Sequence, residues 1–285
     1  MNLLRDPRLL QIAALTGILV YGVGWRGLDV EPVFIPVILA TALLTQWLCT
    51  RWTGGRKTDP RSALISALSL CLLMRGTHAG WAVLAAVLAI GSKFSLRVAG
   101  KHIFNPTNLA VTGLMLASDQ VWVSPGQWGS APVIALLMAG AGTMVVTRAA
   151  RADVTLAFLA AYAAILFGRA YWLGQPWATP WNQMQSGALV LFSFFMISDP
   201  KTTPDSRAGR ILFAILVAAG AGCVHFLLYR PNGLLWSLVA FSPLVPLIDR
   251  WLPGPRYAWQ GVAPLERRAT APAGNLVPAR AKSLV

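Results

Sequence analysis

The chain has 285 residues, 56% of them apolar and only 12% charged, with a mean hydropathy of +0.58. That composition excludes an ordinary soluble domain and places the chain in the membrane class. The net charge of +14 would suit a nucleic acid, but the placement of the charges assigns it to membrane topology instead.

A helix needs about 20 apolar residues to cross a hydrocarbon core of roughly 30 Å. In chain order the apolar runs predict spans at 9–25, 33–50, 62–75, 79–94, 105–118, 131–147, 153–174, 185–198, 210–229 and 233–251, about ten in all. The first is kept as a span because Trp25-Arg26-Gly27-Leu28-Asp29 offers no small-residue cleavage site. With the N-terminus inside, the inner segments hold 20 of the 24 Lys and Arg, and the outer segments hold only Arg26, Arg75, Arg169 and Arg230. That asymmetry predicts an even number of spans with both termini cytoplasmic. The Gly-rich basic loop at 51–61 reads as a topology anchor. Trp122, Trp128, Trp172, Trp177 and Trp181 read as interfacial residues of the outer loops. Residues 252–285, rich in Pro, Ala, Gly and Arg, are expected to form a basic disordered tail.

Two stretches stand out at the inner face. In Lys101-His102-Ile103-Phe104-Asn105-Pro106-Thr107-Asn108, Asn105 is a good N-cap and Pro106 suits the first helical position. The amides of Thr107, Asn108 and Leu109 are then expected to be free donors, so the helix start and the nearby Lys93 or Lys101 make an anion or cofactor site. Helix capping alone explains the same residues. In Phe195-Met196-Ile197-Ser198-Asp199-Pro200-Lys201-Thr202-Thr203-Pro204, Asp199 sits where a span ends, and the two prolines stop the helix from continuing.

An internal repeat relates the two halves. Ser62-Ala63-Leu64 with Ser69 aligns with Ser186-Gly187-Ala188 with Ser193 at an offset of 124, and Asn105-Pro106 aligns with Arg230-Pro231 at 125. Spans one to five then correspond to spans six to ten. Five is odd, so the second half enters the membrane inverted. The expected fold is all-α and polytopic, with two inverted five-helix repeats at 1–125 and 126–251. Asn105 and Asp199 meet at the inner face, whereas their repeat mates around Arg75-Gly76 and Arg230-Pro231-Asn232 are chemically sparser, so the inner face is expected to hold the site.

The remaining chemistry narrows the classes. None of the ten acidic residues lies in mid-span, which disfavours a carrier driven by a buried carboxylate. Cys49, Cys71 and Cys223 are scattered in apolar runs, and only His225 lies inside a span, so one chain offers neither the four ligands of an iron-sulfur cluster nor paired haem ligands. A flavin asks for ring-edge donors, apolar walls and groups for a phosphate. Lys101, Asn105, Thr107, Asn108, Asp199, Thr202 and Thr203 are the candidate binding residues.

The two motifs, in this order and followed by Val245-Pro246-Leu247-Ile248-Asp249, resemble one membrane family over most of residues 60–250. It comprises the D subunit of Rnf electron-transport complexes and the B subunit of sodium-translocating NADH:quinone reductase. The resemblance implies a ten-span inverted-repeat fold in the bacterial cytoplasmic membrane, flavin cofactors, and electron transfer coupled to ion movement alongside sister subunits or other redox partners. Members with covalent flavin mononucleotide attach it through the last Thr of a Ser-Gly-Ala-Thr motif. Here Ser186-Gly187-Ala188 is followed by Leu189, which has no hydroxyl for a phosphoester. The expected cofactor is therefore a noncovalent flavin, riboflavin or flavin mononucleotide, and the chain looks more like stand-alone relatives such as the membrane protein encoded with enediyne biosynthesis genes. The alternatives are an inverted-repeat transporter of an anionic substrate and a scaffold without a cofactor.

Overall fold

In a computed structural model, residues 6–25, 27–55, 58–123 and 132–257 are described. The expected tail beyond 257 and the outer segment 124–131 lie outside them. Two long apolar helices open the chain, α1 (Pro7–Trp25) and α2 (Phe34–Trp52), followed by α3 (Arg61–Leu73), β1 (Met74–Gly76), α4 (Ala79–Ser95), a two-residue hairpin of β2 (Arg97–Val98) and β3 (Lys101–His102), α5 (Pro106–Ala117) and β4 (Val121–Val123). The second half contains α6 (Pro132–Arg148), α7 (Ala152–Trp172), a short α8 (Ala178–Met184), α9 (Gly187–Leu191), α10 (Arg207–Phe226), α11 (Gly233–Phe241) and α12 (Val245–Trp251). Among the described residues, five stretches are long and apolar enough to cross a membrane, namely α1, α2, α7, α10 and the continuous run Gly233–Trp251. The chain is a mainly helical integral membrane protein.

Several expected spans are not single helices. At 1.5 Å per residue, 12 residues of α5 reach only about 18 Å, too short for a roughly 30 Å core. The expected span 62–75 likewise ends as a helix at Leu73. Both α3 and α5 run into strands, and β1 pairs antiparallel with β4, Met74 opposite Val123 and Gly76 opposite Val121. Backbone groups released by a helix stop at membrane depth must be satisfied inside the protein, and Arg75 helps to do this. Its buried guanidinium donates to the carbonyls of Cys71 (3.3 Å), Leu72 (3.4 Å) and Met74 (2.7 Å) at the α3 terminus.

The expected span 185–198 is also broken. After α9 the chain widens into a π turn over Phe192–Met196, closed by the Ile197 amide donating to the Phe192 carbonyl at 3.0 Å. The last run is interrupted by a 3-10 turn at Ser242–Leu244.

Three packing pairs in the first half have counterparts in the second. In the first, α1 packs on α3, α2 on α4, and α4 on α5; in the second, α6 packs on α9, α7 on α10, and α10 on α11. Small residues set the closest approach. A Cβ at Gly233 would stand 2.8 Å from the Ala221 carbonyl of α10, and one at Gly220 would meet Phe241 and Ser237 at 2.5 Å. The halves join where α1 meets α6 and α5 meets α11. The core is a continuous apolar cluster from Leu15 through Ile38, Leu70, Ile90, Phe158 and Phe213 to Ile248.

Candidate functional site

The helix ends at the start of α1, α3, α7 and α10 share one face, which is rich in Arg and Lys. Arg8 pairs with Asp6 at 3.0 Å and Asp59 at 2.5 Å, and Arg210 pairs with Asp153 at 2.5 Å. Beneath this basic face lies a cavity of about 220 Å³. It is walled by Ile65, Pro106, Phe195 and Met196, with Ser62, Ser66 and Ser69 from α3, Gln11 and Arg8 from α1, and Lys93, His102, Asn105, Thr107, Asp199 and Lys201.

The α5 start forms as its sequence predicts, with Asn105 at the N-cap and Pro106 at the first position. The Asn105 side chain accepts from the Asn108 amide at 3.1 Å and donates to the Met196 carbonyl at 3.3 Å. It therefore ties the α5 start to the π turn, whose geometry leaves that carbonyl available. The expected row of free amides is shorter than predicted: the Asn108 amide is consumed by the cap, and the Leu109 amide donates to the Asn105 carbonyl at 2.9 Å. Positive charge in the cavity comes from side chains instead. Lys93 is 5% exposed, and its ammonium donates to the Ser62 carbonyl (2.7 Å) and hydroxyl (3.1 Å).

Asp199 closes the opposite wall. Its carboxylate accepts from the Lys201 amide at 3.0 Å, and its carbonyl accepts from the amides of Thr202 and Thr203, both at 3.2 Å. Burial pushes the Asp199 carboxyl above the usual carboxylate range, against the Lys201 amide bond and the charges of Lys93, Lys201 and Arg151. Burial also lowers the Lys201 ammonium.

His102 is held down to about 4 by burial and then by Arg97, Lys93 and Lys201, against a hydrogen bond to the Lys93 backbone. It is uncharged at neutral pH, and its buried Nδ1 has no partner among the described residues. A buried polar atom in that condition on a cavity wall offers a ligand a hydrogen bond.

Of the seven candidate residues, the cavity brings together Asn105, Thr107 and Asp199. The other four do not line it. The Lys101 ammonium is committed to Asp205 (3.0 Å) and Asp249 (2.8 Å), and Asp249 also accepts from the Asp205 amide at 2.7 Å. The Asn108 side chain donates to the Leu235 carbonyl at 3.0 Å. Thr202 and Thr203 fold the turn around the Asp199 carbonyl, with the Thr203 hydroxyl donating to it at 3.0 Å. Sequence reasoning passed over His102, Lys201, Gln11 and the serine face. Ser62, Ser66 and Ser69 stand at helical spacing, a signal that could have found the α3 wall.

Residues 117–257 match the family described as NQR2, RnfD, RnfE. Across that region the chain belongs to the NQR2, RnfD, RnfE family. The match contains Asp199 and its turn, whereas the α5 start and Lys93 precede it. Several similar proteins are named as the D subunit of an ion-translocating oxidoreductase complex. The one from Erwinia tasmaniensis is 30% identical over 140 residues, or 48% of this chain and 36% of the relative. The one from Escherichia coli O1:K1 / APEC is 31% identical over 114 residues, 39% of this chain and 32% of the relative. The one from Stutzerimonas stutzeri is 38% identical over 71 residues, 24% of this chain and 19% of the relative. The aligned part of this chain thus spans about a third or less of each of these relatives.

Proposed function

We infer that this chain is an electron-transfer subunit of the bacterial cytoplasmic membrane whose basic-face cavity holds a noncovalent flavin, riboflavin or flavin mononucleotide. The reading rests on one observation: Lys93, Asp199 and the unpartnered His102 Nδ1 converge on apolar walls made by Ile65, Phe195 and Met196. These residues fit a flavin, since a ring system needs apolar faces and an edge that meets both donors and acceptors. Lys93 and the serines of α3 supply donors, and His102 Nδ1 and Asp199 supply acceptors. Thr107 and Asn105 frame the α5 side, while Lys101, Asn108, Thr202 and Thr203 hold the elements that carry these groups. A bound flavin would supply electron transfer, and the chain binds it, orients it and shields it from water. The chain has no Ser-Gly-Ala-Thr motif, and that speaks for noncovalent binding.

The architecture fits two inverted five-helix repeats, 1–125 and 126–251, with both termini cytoplasmic. Two features support this: the matching helix partners in each half and the basic face shared by the ends expected inside. The names of the relatives place them in an ion-translocating oxidoreductase complex, and we extend to this chain the coupling to ion movement and the company of sister membrane subunits.

The test is an absorbance and fluorescence spectrum of the detergent-purified protein before and after acid precipitation. Yellow absorbance released into the supernatant, and lost in Asn105→Ala and Asp199→Ala, is the expected result. A preparation that stays colourless after added riboflavin or flavin mononucleotide overturns the flavin assignment in favour of the transporter or scaffold reading.

A further inference from the structure

On the face opposite the basic one lies a second cavity, of about 310 Å³. Its walls are largely apolar, made by Leu73, Tyr162, Leu189, Phe192, Met196 and Leu235. Gln183 and His225 stand at its edge and are shared with a wider recess that also contains Arg169 and Arg230. Only four cations lie in the segments expected on this face, and two of them, 61 positions apart, meet in this one recess. No acidic residue lines either space, and neither arginine pairs with a carboxylate among the described residues. The Arg169 guanidinium lies 4.3 Å from the centre of the Phe226 ring, a contact that positions the charge without neutralising it.

The start of α11 adds to this pair. Asn232 precedes the helix at φ +60° and its side chain makes no capping bond. The Gly233 and Leu234 amides have no partner among the described residues, and both residues line the cavity. The positive end of the helix therefore contributes beside two uncompensated guanidinium groups.

We propose that this cavity binds an amphipathic anion. The apolar body fills the space between Tyr162, Phe192 and Leu235, and one acidic head, a carboxylate or a phosphate monoester, rests at the mouth against Arg169 and Arg230. An ionised head cannot move deeper, because the apolar walls would desolvate it without compensation. An uncharged analogue of the same length gains the apolar contacts alone. The acidic head can belong to a membrane lipid or to a free amphiphile, and the chemistry of recognition is the same.

The test uses the full chain in phosphatidylcholine nanodiscs and measures saturable binding of radiolabelled decanoate and decanol, with empty nanodiscs subtracted. Decanoate is expected to bind about tenfold more tightly than decanol, and the double variant Arg169→Gln/Arg230→Gln to lose about that factor for decanoate alone. Gel filtration confirms that the variant remains folded. Repeating the titration in nanodiscs containing phosphatidic acid, whose head is a phosphate monoester, separates the sources: competition by the anionic lipid assigns the head to lipid, and undiminished decanoate binding assigns it to a free amphiphile. Equal affinity for decanoate and decanol, no saturable binding, or a double variant that binds decanoate as the wild type does would each overturn the proposal.

Discussion

The two cavities lie back to back against Met196 and are built on opposite plans. The one under the basic face is lined by polar groups that are largely committed: Arg8 to two aspartates, Lys93 to Ser62, and Asn105 to the α5 amide and the π turn. The other is apolar, and its charges stand uncommitted at the rim. The two helix starts repeat the contrast. Asn105 has extended backbone and caps its helix, whereas Asn232 adopts the left-handed conformation and caps nothing. The number of polar residues around a space says less about its ligand than the number still holding a free donor or acceptor, since a bond already made to the protein must be broken before a ligand can use the group.

The contrast can be broken hardest at Lys101, which anchors the hairpin leading into α5. Lys101→Met leaves Asp205 and Asp249 facing each other, and it is expected to cost about 3 kcal/mol, the lower end for a broken buried ion pair because the three side chains keep 10–18% exposure. Thermal unfolding in detergent measures it. On the other side, Gly233→Ala drives a Cβ towards the Ala221 carbonyl at 2.8 Å, and an overpacked contact of this kind costs about 1–3 kcal/mol. The same melt should show it, together with weaker decanoate binding.

The helix starts give a sharper test. Asn105→Ala removes a working cap and is expected to cost about 1–2 kcal/mol, whereas Asn232→Gly removes none and relieves a positive φ, so its effect should stay within a few tenths. Comparable losses in the two variants would dissolve the distinction between the sites.

A smaller effect is expected with pH. The His102 value falls from 6.5 to about 4 on folding. Between those limits the unfolded chain binds a proton that the folded chain does not, so stability falls as pH drops from about 6.5 towards 4, by at most about 1.4 kcal/mol per pH unit. The raised Asp199 carboxyl works in the opposite sense, since its folded form keeps a proton that the unfolded form releases. The informative quantity is therefore the difference between wild type and His102→Gln. In that variant the acid-side loss should shrink, and an unchanged pH profile would place His102 outside the balance.

Much of the fold was legible in the residues alone. A run such as Ala152–Trp172 has one physical reading, because few other structures hide that much apolar surface and satisfy their own backbone. The cap at Asn105-Pro106 and the stop at Asp199-Pro200 were equally readable, being local consequences of side-chain oxygens and missing amides. The strands that complete α3 and α5 were not. Met74-Arg75-Gly76 and Val121-Trp122-Val123 are only three residues long, too short to show a strand alternation, and only their pairing across 45 or more positions makes them strands.

The candidate site divides along the same line. Residue type and position picked out Asn105, Thr107 and Asp199, which the structure brings onto one cavity. They also picked out Lys101, and the tertiary structure brings Asp205 and Asp249, 104 and 148 positions away, onto its ammonium. Conversely, the sequence marked Arg169 only as an exception to the charge asymmetry and Arg230 as a second exception and a sparse repeat mate, and the packing of α7 on α10 set the two around one recess. Composition and period depend on near neighbours and are written in the chain. Whether a polar group is spent or free depends on partners that only the packed helices supply.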